Sequence, residues 1–303
     1  MAHPMTRIIA RLHDGLGNQL FIYAAARAIA EARGAELLLD VYSGFARDRK
    51  YGATSQLNHF AVKAPAAPMR LSHPPPFGRH VRDLQIALSK RLPLGRRFVI
   101  READFDAVIA GAPLRSTVRL EGYWQSERYF AGIADKIRDE LQVISPLSPR
   151  SREIADLIAG TEAVCIHVRQ MHGAHHAFDQ PPPSQIPQLP FSYYEEAVAR
   201  LVQRVPNPTF FCFSDNFPWI RERWNFPFPV HFVDHNRGER SYEDVALMRR
   251  CRHFIIGNST FSWWGAWLSD NPDKIVIAPD SRGRVRWGSE DNLLPGSWEI
   301  LKV

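Results

Sequence analysis

Apolar residues recur along this chain in two alternating forms, short continuous runs and stripes at helical spacing, and the alternation predicts an α/β fold. Arg7 to Leu12 reads as a strand, with His13-Asp14-Gly15-Leu16-Gly17-Asn18-Gln19 as the loop after it. A helix is expected from about Leu20 to Arg33, with Ala24, Ala28 and Ile29 on its apolar face and Gly34 closing it. Leu37-Leu38-Leu39 is the next strand. A β–loop–α–β start with two glycines in the first loop opens a doubly wound unit. From 43 to 98 the pattern weakens: prolines at 65, 68, 74, 75 and 76 predict an extended surface segment, and Val81 to Arg91 a helix. Leu120 to Ser126 starts as a strand, Glu127 to Leu141 reads as a helix, and Pro146 and Pro149 mark a linker. The expected division is therefore 1–150 and 151–303.

The second half restarts the alternation. A helix over Ser151 to Ala159 leads to an apolar strand, Ala163 to Val168; a helix over Tyr193 to Val205 leads to a strand, Thr209 to Phe213, ending in Ser214-Asp215-Asn216. Pro227 to Val233 supplies another strand. Ser241 and Asp244 resemble a capping box ahead of the stripe Val245, Met248, Cys251. Phe254-Ile255-Ile256 is too short for a helix and reads as a buried strand; Gly257 ends it, and Asn258-Ser259-Thr260 turns into a helix from Phe261 to Leu268. Lys274 to Ala278, closed by Pro279, is the last strand.

A strand ending in small hydroxyl residues at a helix N-terminus is an anion site, since free N–H groups and the helix dipole point outward there. Ser259, Thr260 and Ser262 can add hydroxyl donors; the plainer alternative is that Ser259 or Thr260 only caps the helix. The run Trp263-Trp264-Gly265-Ala266-Trp267 reads as core, with Gly265 and Ala266 letting the helix sit close to its sheet. His167 and Arg169 alternate at a strand end and so share a face. In an open α/β sheet ligands bind beyond the carboxyl ends of strands, and the arginine fork suits a diphosphate. The loop GLGNQ lacks the spacing of a dinucleotide fingerprint. His172, His175 and His176 lie in a proline-rich stretch from 172 to 190 without a carboxylate or cysteine at ligand spacing, so no metal and no cofactor are expected.

Composition narrows the class. With 303 residues and 45% hydrophobic content the chain can bury one large core or two medium ones. The net charge of +6 suits a phosphate-bearing partner, while scattered arginines without a block of like charges argue against nucleic acid. No run of eighteen apolar residues and no secretory signal occur. Cys165, Cys212 and Cys251 lie in apolar patterns and read as buried reduced thiols. A cytoplasmic enzyme is the expectation.

The stretch GNSTFSWWGAWLS, preceded by EDVALMRRC and followed by NPDKIVIAP, resembles the C-terminal motif of the α1,2-fucosyltransferases, glycosyltransferase family 11. The resemblance extends in order through GLGNQLFIYAAARAIA, LEGYWQSERYF, AVCIHVR, YYEEAVARL and FCFSDN, nearly the whole chain. It implies a GT-B fold, two Rossmann-like domains facing a cleft, with acceptor side first and donor side second. It implies a GDP-fucose donor, a galactose-containing acceptor and metal-independent inverting transfer to a 2-hydroxyl. His167 would sit by the nucleotide, Arg169 on the β-phosphate, Asp215 on the guanine edge, and Asn258, Ser259, Thr260 and Ser262 at the diphosphate. Asn18, Gln19 and Glu121 would be polar groups of the cleft. The family's His-x-Arg-Arg-x-Asp pattern breaks here: Gln170 stands for the second arginine and His172 for the aspartate. His13 and Asp14 also replace small residues. Asp14 or His172 is therefore the expected general base, with Asn18 beside it. A homologue that binds a GDP-sugar or carbohydrate with altered donor or lost catalysis is the alternative. A lipid-linked acceptor, with at most peripheral contact at the inner membrane face, remains open.

Overall fold

A computed structural model describes residues 6–46, 54–73, 77–170, 189–280 and 293–303. The chain divides into two compact units, Met1–Leu141 and Gln142–Val303. In unit 1, in chain order, β1 (Arg7–Arg11), α1 (Leu16–Arg33), β2 (Glu36–Asp40), α2 (Gly78–Ser89), β3 (Val99–Ile100), α3 (Phe105–Ile109), β4 (Thr117–Leu120) and α4 (Ala134–Glu140) build a parallel sheet of order β2-β1-β4-β3. Helix α1 begins four residues earlier than the periodicity predicts and is buried on nearly every side, because Leu20 to Ala26 are all core. Gly34 closes it at φ 54°, a left-handed cap that favours glycine.

The expected strand from Leu120 to Ser126 stops at Leu120, since Gly122 (φ 144°) and Trp124 (φ 57°) turn the chain. Glu102 Oε1 accepts the N–H groups of Tyr123 and Trp124 at 2.8 and 2.6 Å and fixes that turn. The expected helix from Glu127 to Leu141 is also broken. Two 3₁₀ turns, Glu127–Tyr129 and Ala131–Ile133, precede α4. Burial explains the break: Tyr129 packs edge-on against Trp124 and Phe105, and Phe130 against Phe21, directions that one continuous helix would not give.

Unit 2 comprises α5 (Pro149–Ala159), β5 (Glu162–Val168), α6 (Phe191–Val202), β6 (Pro208–Ser214), α7 (Phe217–Arg223), β7 (Val230–Phe232), α8 (Ser241–Met248), β8 (His253–Ile255), α9 (Thr260–Trp267), β9 (Val276–Pro279) and β10 (Glu299–Leu301). All pairings are parallel, in the order β10-β9-β8-β5-β6-β7. Strands β5 and β6 are buried over nearly their full length, which is why both read as continuous apolar runs. From β5 the chain builds outward through β6 and β7, then returns by α8 to lay β8 on the other side of β5. The topological switch point lies between β5 and β8.

Helix α9 buries its tryptophans: Trp263, Trp264, Trp267 and Trp298 form one cluster, and Trp263 Nε1 donates to Leu293 O at 2.9 Å. Gly265 admits a neighbouring helix rather than the sheet, for a Cβ there would stand 2.8 Å from Met248 Cβ on α8. The three cysteines are buried and free. No helix among the described residues is long and apolar enough to cross a membrane.

The capping box expected at Ser241 and Asp244 does not form. Ser241 is the first helical residue and donates to Gly238 O, while Asp244 turns inward and accepts from Asn236 Nδ2 at 2.8 Å. The neighbouring Glu243 does the structural work. Its carboxylate, 1% exposed, accepts from Ser148 N–H (3.0 Å), Ser148 Oγ (2.8 Å) and Arg240 Nε (2.9 Å), tying the start of α5 to α8. Burial pushes Glu243 up, but hydrogen bonds from Ser151, Ser148 and Arg240 outweigh it and hold the group at about 2. A folded pKa below the ordinary 4.5 contributes stability that is present above that value and lost as pH falls toward 2. Glu243→Gln is expected to cost on the order of 2–3 kcal/mol at pH 7. Parent and variant should converge in urea unfolding between pH 4.5 and 2.5. A difference that does not change with pH would count against the ionised carboxylate as the source.

Candidate functional site

Strands β5, β6 and β8 end side by side, and the residues that follow them carry the polar groups. His167 is the penultimate residue of β5 and is 5% exposed. Burial, and then the charge of Arg169, depress its pKa to about 3, so the ring is neutral at any working pH and serves as a hydrogen-bonding group. Its Nδ1 has no partner among the described residues, and neither has Oδ1 of Asn258, which is 8% exposed just past β8. Buried polar atoms left unpaired in this way are rare, and two of them at adjacent strand ends by the switch point make this the candidate ligand site.

Gly257 brings these groups together. A Cβ there would stand 2.8 Å from His167 O and 3.3 Å from Arg169 N, so only glycine lets the end of β8 press against the end of β5. Beyond it Ser259 caps α9, its Oγ accepting from Phe261 N–H at 3.3 Å, and Ser262 Oγ donates to Ser259 O at 3.2 Å. Those two hydroxyls shape the turn. Thr260 is half-exposed, and its hydroxyl makes no hydrogen bond to a described residue.

Arg169 and Asp215, expected on the β-phosphate and on the guanine edge, lie against each other. Arg169 Nε is 3.1 Å from Asp215 Oδ2, and Asp215 Oδ1 accepts Gln170 N–H at 2.8 Å. The terminal nitrogens of Arg169 make no hydrogen bond to a described residue, which leaves that edge of the fork open. Gln170, in the place of the family's second arginine, is buried and donates from Nε2 to Leu189 O at 3.2 Å. His172 lies outside the described residues.

In unit 1 the predicted residues gather at the carboxyl ends of β1 and β4. Asp14 adopts φ 59°, a left-handed conformation that aspartate tolerates. Its Oδ2 lies 2.9 Å from His13 Nδ1, and the hydrogen bond from His13 is the main reason its pKa falls below the ordinary value. Tyr123 packs edge-on against His13, with ring centroids 4.9 Å apart. Asn18 Oδ1 accepts from Gln125 Nε2 at 2.8 Å. Gln19, expected as a contact of the cleft, is buried and spends its amide inside the unit: Nε2 donates to Asp14 O and Thr54 O, and Oε1 accepts from Gln56 N–H. It holds the loop that carries Asp14. Glu121 is gripped by Arg82 through two bonds of 2.7 and 2.8 Å. Burial raises its pKa, but Arg82 and Arg11 outweigh burial and hold it below the usual range.

Sequence reasoning missed His13 as the partner of Asp14 and Arg82 as that of Glu121. The first was visible as adjacency in the loop. The second joins residues 39 apart, for which the sequence carries no signal.

The profile of Glycosyl transferase family 11 matches residues 96–300, more than half of the chain. An alpha-1,2-colitosyltransferase of Escherichia coli is 29% identical over 91% of this chain and 92% of its own length. A galactoside alpha-(1,2)-fucosyltransferase 2 of Mus musculus is 33% identical over a shorter stretch, 29% of this chain and 27% of its own. Among solved structures, FUT1 of Arabidopsis thaliana in complex with GDP superposes with a TM-score of 0.53 at 12% identity, covering 92% of this chain and 71% of that one, a likeness of fold alone. The fold, two Rossmann-like α/β units in one chain, is of the GT-B type. On the strength of the profile match, the chain belongs to glycosyl transferase family 11.

Proposed function

We propose that this glycosyltransferase moves L-fucose from GDP-β-L-fucose to the 2-hydroxyl of a terminal galactoside, inverting the anomeric centre without a metal. The observation that carries the reading is the pair of unpartnered buried atoms, His167 Nδ1 and Asn258 Oδ1, set with the open edge of the Arg169 fork at the start of α9. Neutral hydrogen-bonding groups, a guanidinium fork and a helix N-terminus together suit the diphosphate and sugar of a nucleotide sugar. The relatives support the chemistry by name: both carry 1,2-transfer, and the mouse enzyme's name gives fucose and galactoside.

In this reading Arg169 turns its terminal nitrogens to the β-phosphate, and Asp215, relieved of Arg169, accepts from the guanine N–H groups. Thr260 and the first-turn N–H groups of α9 complete the phosphate contacts, while Ser259 and Ser262 hold the turn in shape. The acceptor 2-oxygen bonds to fucose C1 as the C1–O bond to the β-phosphate breaks. GDP leaves with the electron pair, and the acceptor proton passes to Asp14 or His172. Asp14 is ionised near neutrality and can accept a proton, though its hydrogen bond to His13 makes it a weaker base. A second donor is favoured by the relative that covers most of the chain: colitose, L-fucose without its 3-hydroxyl.

Three experiments test the proposal. First, transfer is measured from GDP-fucose and GDP-colitose to a panel of galactosides, with and without excess EDTA. The expected result is transfer from GDP-fucose that EDTA leaves unchanged. A tenfold preference for GDP-colitose moves the donor assignment, and loss of activity restored by Mn²⁺ or Mg²⁺ removes metal independence. GDP binding without transfer to any acceptor supports the binding-only alternative.

Second, Arg169→Lys replaces the fork with a point charge and should weaken GDP binding by about 10–100-fold, the value of one lost charge-assisted hydrogen bond. Near-parental affinity in calorimetry rules out Arg169 as the main diphosphate ligand. Third, Asp14→Asn and His172→Gln are compared for turnover and GDP affinity. Loss of the base should lower turnover by roughly 10²–10⁴-fold while GDP still binds. If both variants stay within a few-fold of the parent, neither residue is the base, and Glu121 is the next carboxylate to replace.

A further inference from the structure

Unit 1 holds a second constellation, built from arginines to which the proposed transfer gives no role. Its strand order reverses between β1 and β4, and by the carboxyl end of β1 lies a cavity of about 150 Å³ lined by Arg11, Ser43, Gly44, His73, Arg79 and Arg82. That is room for a small charged group.

The charges around this cavity do not balance. Arg82 is satisfied by its two bonds to Glu121. Arg11, whose side chain is 16% exposed, has only a 3.5 Å approach of Nε to the same Glu121, and that buried Nε makes no hydrogen bond. Its terminal nitrogens make none to a described residue either. Arg79 reaches only Asp83, at 3.7 Å on the surface. Asp40, at the end of β2, is consumed by Tyr42 N–H, Ser43 N–H and Ser43 Oγ. The three lining guanidinium groups thus have ion pairs only to Glu121 and Asp83 among the described residues, with Asp14 a more distant neighbour of Arg11, and the largely buried Arg11 is the one left without hydrogen bonds. A guanidinium so placed carries a desolvation cost that a bound anion would remove. Gly44 also lines the cavity: a Cβ there would run into Leu12 O, and no described residue accepts the Gly44 N–H.

We propose that this cavity is an anion subsite that binds a phosphate or carboxylate group of the acceptor, with Arg11 and Arg79 as its guanidinium ligands and the Gly44 N–H as a further donor. What carries the anion rests on the transferase reading; the site itself does not. A phosphorylated acceptor and an acidic sugar present the same chemistry here.

The test is thermal unfolding of the full chain, saturated with GDP, in sodium phosphate, sodium glucuronate or sodium chloride at one pH and matched ionic strength, beside Arg11→Gln and Arg79→Glu. An anion at ten times its Kd should raise the parent's Tm by about 2–5 °C over chloride. The gain should vanish in Arg11→Gln and fall by at least half in Arg79→Glu. Gain from phosphate alone points to a phosphorylated acceptor, and from glucuronate alone to an acidic sugar. No gain over chloride in the parent, or a gain that both variants keep, overturns the subsite. Should Arg11→Gln not fold, Arg79→Glu decides alone, because that side chain is 71% exposed and its loss disturbs no packing. The shift produced by GDP by itself is read separately. Its absence would count against the donor reading and leave the subsite result standing, since Arg11 and Arg79 both lie in unit 1.

Discussion

The close approach of Gly257 to the end of β5 is the constraint on which the strand ends of unit 2 depend. With no Cβ at 257, two adjacent parallel strands end in contact instead of diverging. His167 and Asn258, on either side of that contact, are both buried. His167 Nδ1 and Asn258 Oδ1 are left buried without partners, a burden of about 1–3 kcal/mol for each such atom. A fold holds such a cost where packing elsewhere over-determines it, and here the paired core strands β5 and β6 and the tryptophan cluster under α9 do so. The cost disappears when a ligand supplies the missing hydrogen bonds, so the two atoms act as part of the binding free energy.

The charges at the same strand ends follow a related logic. Arg169 and Asp215 neutralise each other across the ends of β5 and β6, both largely buried. Two opposed charges held this way need little water, and either can exchange its partner for a ligand group of the same sign as the one it leaves. A diphosphate is a stronger partner for a guanidinium than a single carboxylate, because it offers more acceptor oxygens and more charge. The ion pair therefore keeps the site ready without leaving a bare charge in it.

How legible this was depended on the range of the interaction. Strands buried on both faces, β5 and β6, announce themselves as apolar runs and lie within a residue or two of the positions read from the sequence. Unit 1 was harder. Strand β3 has two residues and no pattern of its own, and the helix expected after Glu127 is interrupted because Tyr129 and Phe130 answer to α3, the 122–124 turn and α1 rather than to helical spacing. In the site, alternation placed His167 and Arg169 on one face. Nothing local could tell that Gln19 spends its amide on Thr54 and Gln56, or that Glu121 belongs to Arg82. The capping box failed for a similar reason: Asn236 offers Asp244 a partner that the helix start cannot match.

Gln170 is where this chain departs from the pattern it resembles, and the geometry gives the departure a physical meaning. The side chain is 3% exposed, and its amide is bonded to Leu189 O. A guanidinium in the same space would be a buried charge, and the carboxylate beside it, Asp215, already faces Arg169 and accepts the Gln170 N–H. The amide keeps a donor at that position and adds no charge. With His167 neutral, the site before ligand binding then carries one positive and one negative group. On the proposed function, a nucleotide diphosphate there would be met by one guanidinium and otherwise by N–H dipoles. Dipoles fixed in a dry crevice are screened little by salt, whereas exposed cations are screened strongly. On the proposed function, recognition of a nucleotide sugar would thus lean on the geometry of strand ends and a helix start, the parts that Gly257 holds in place.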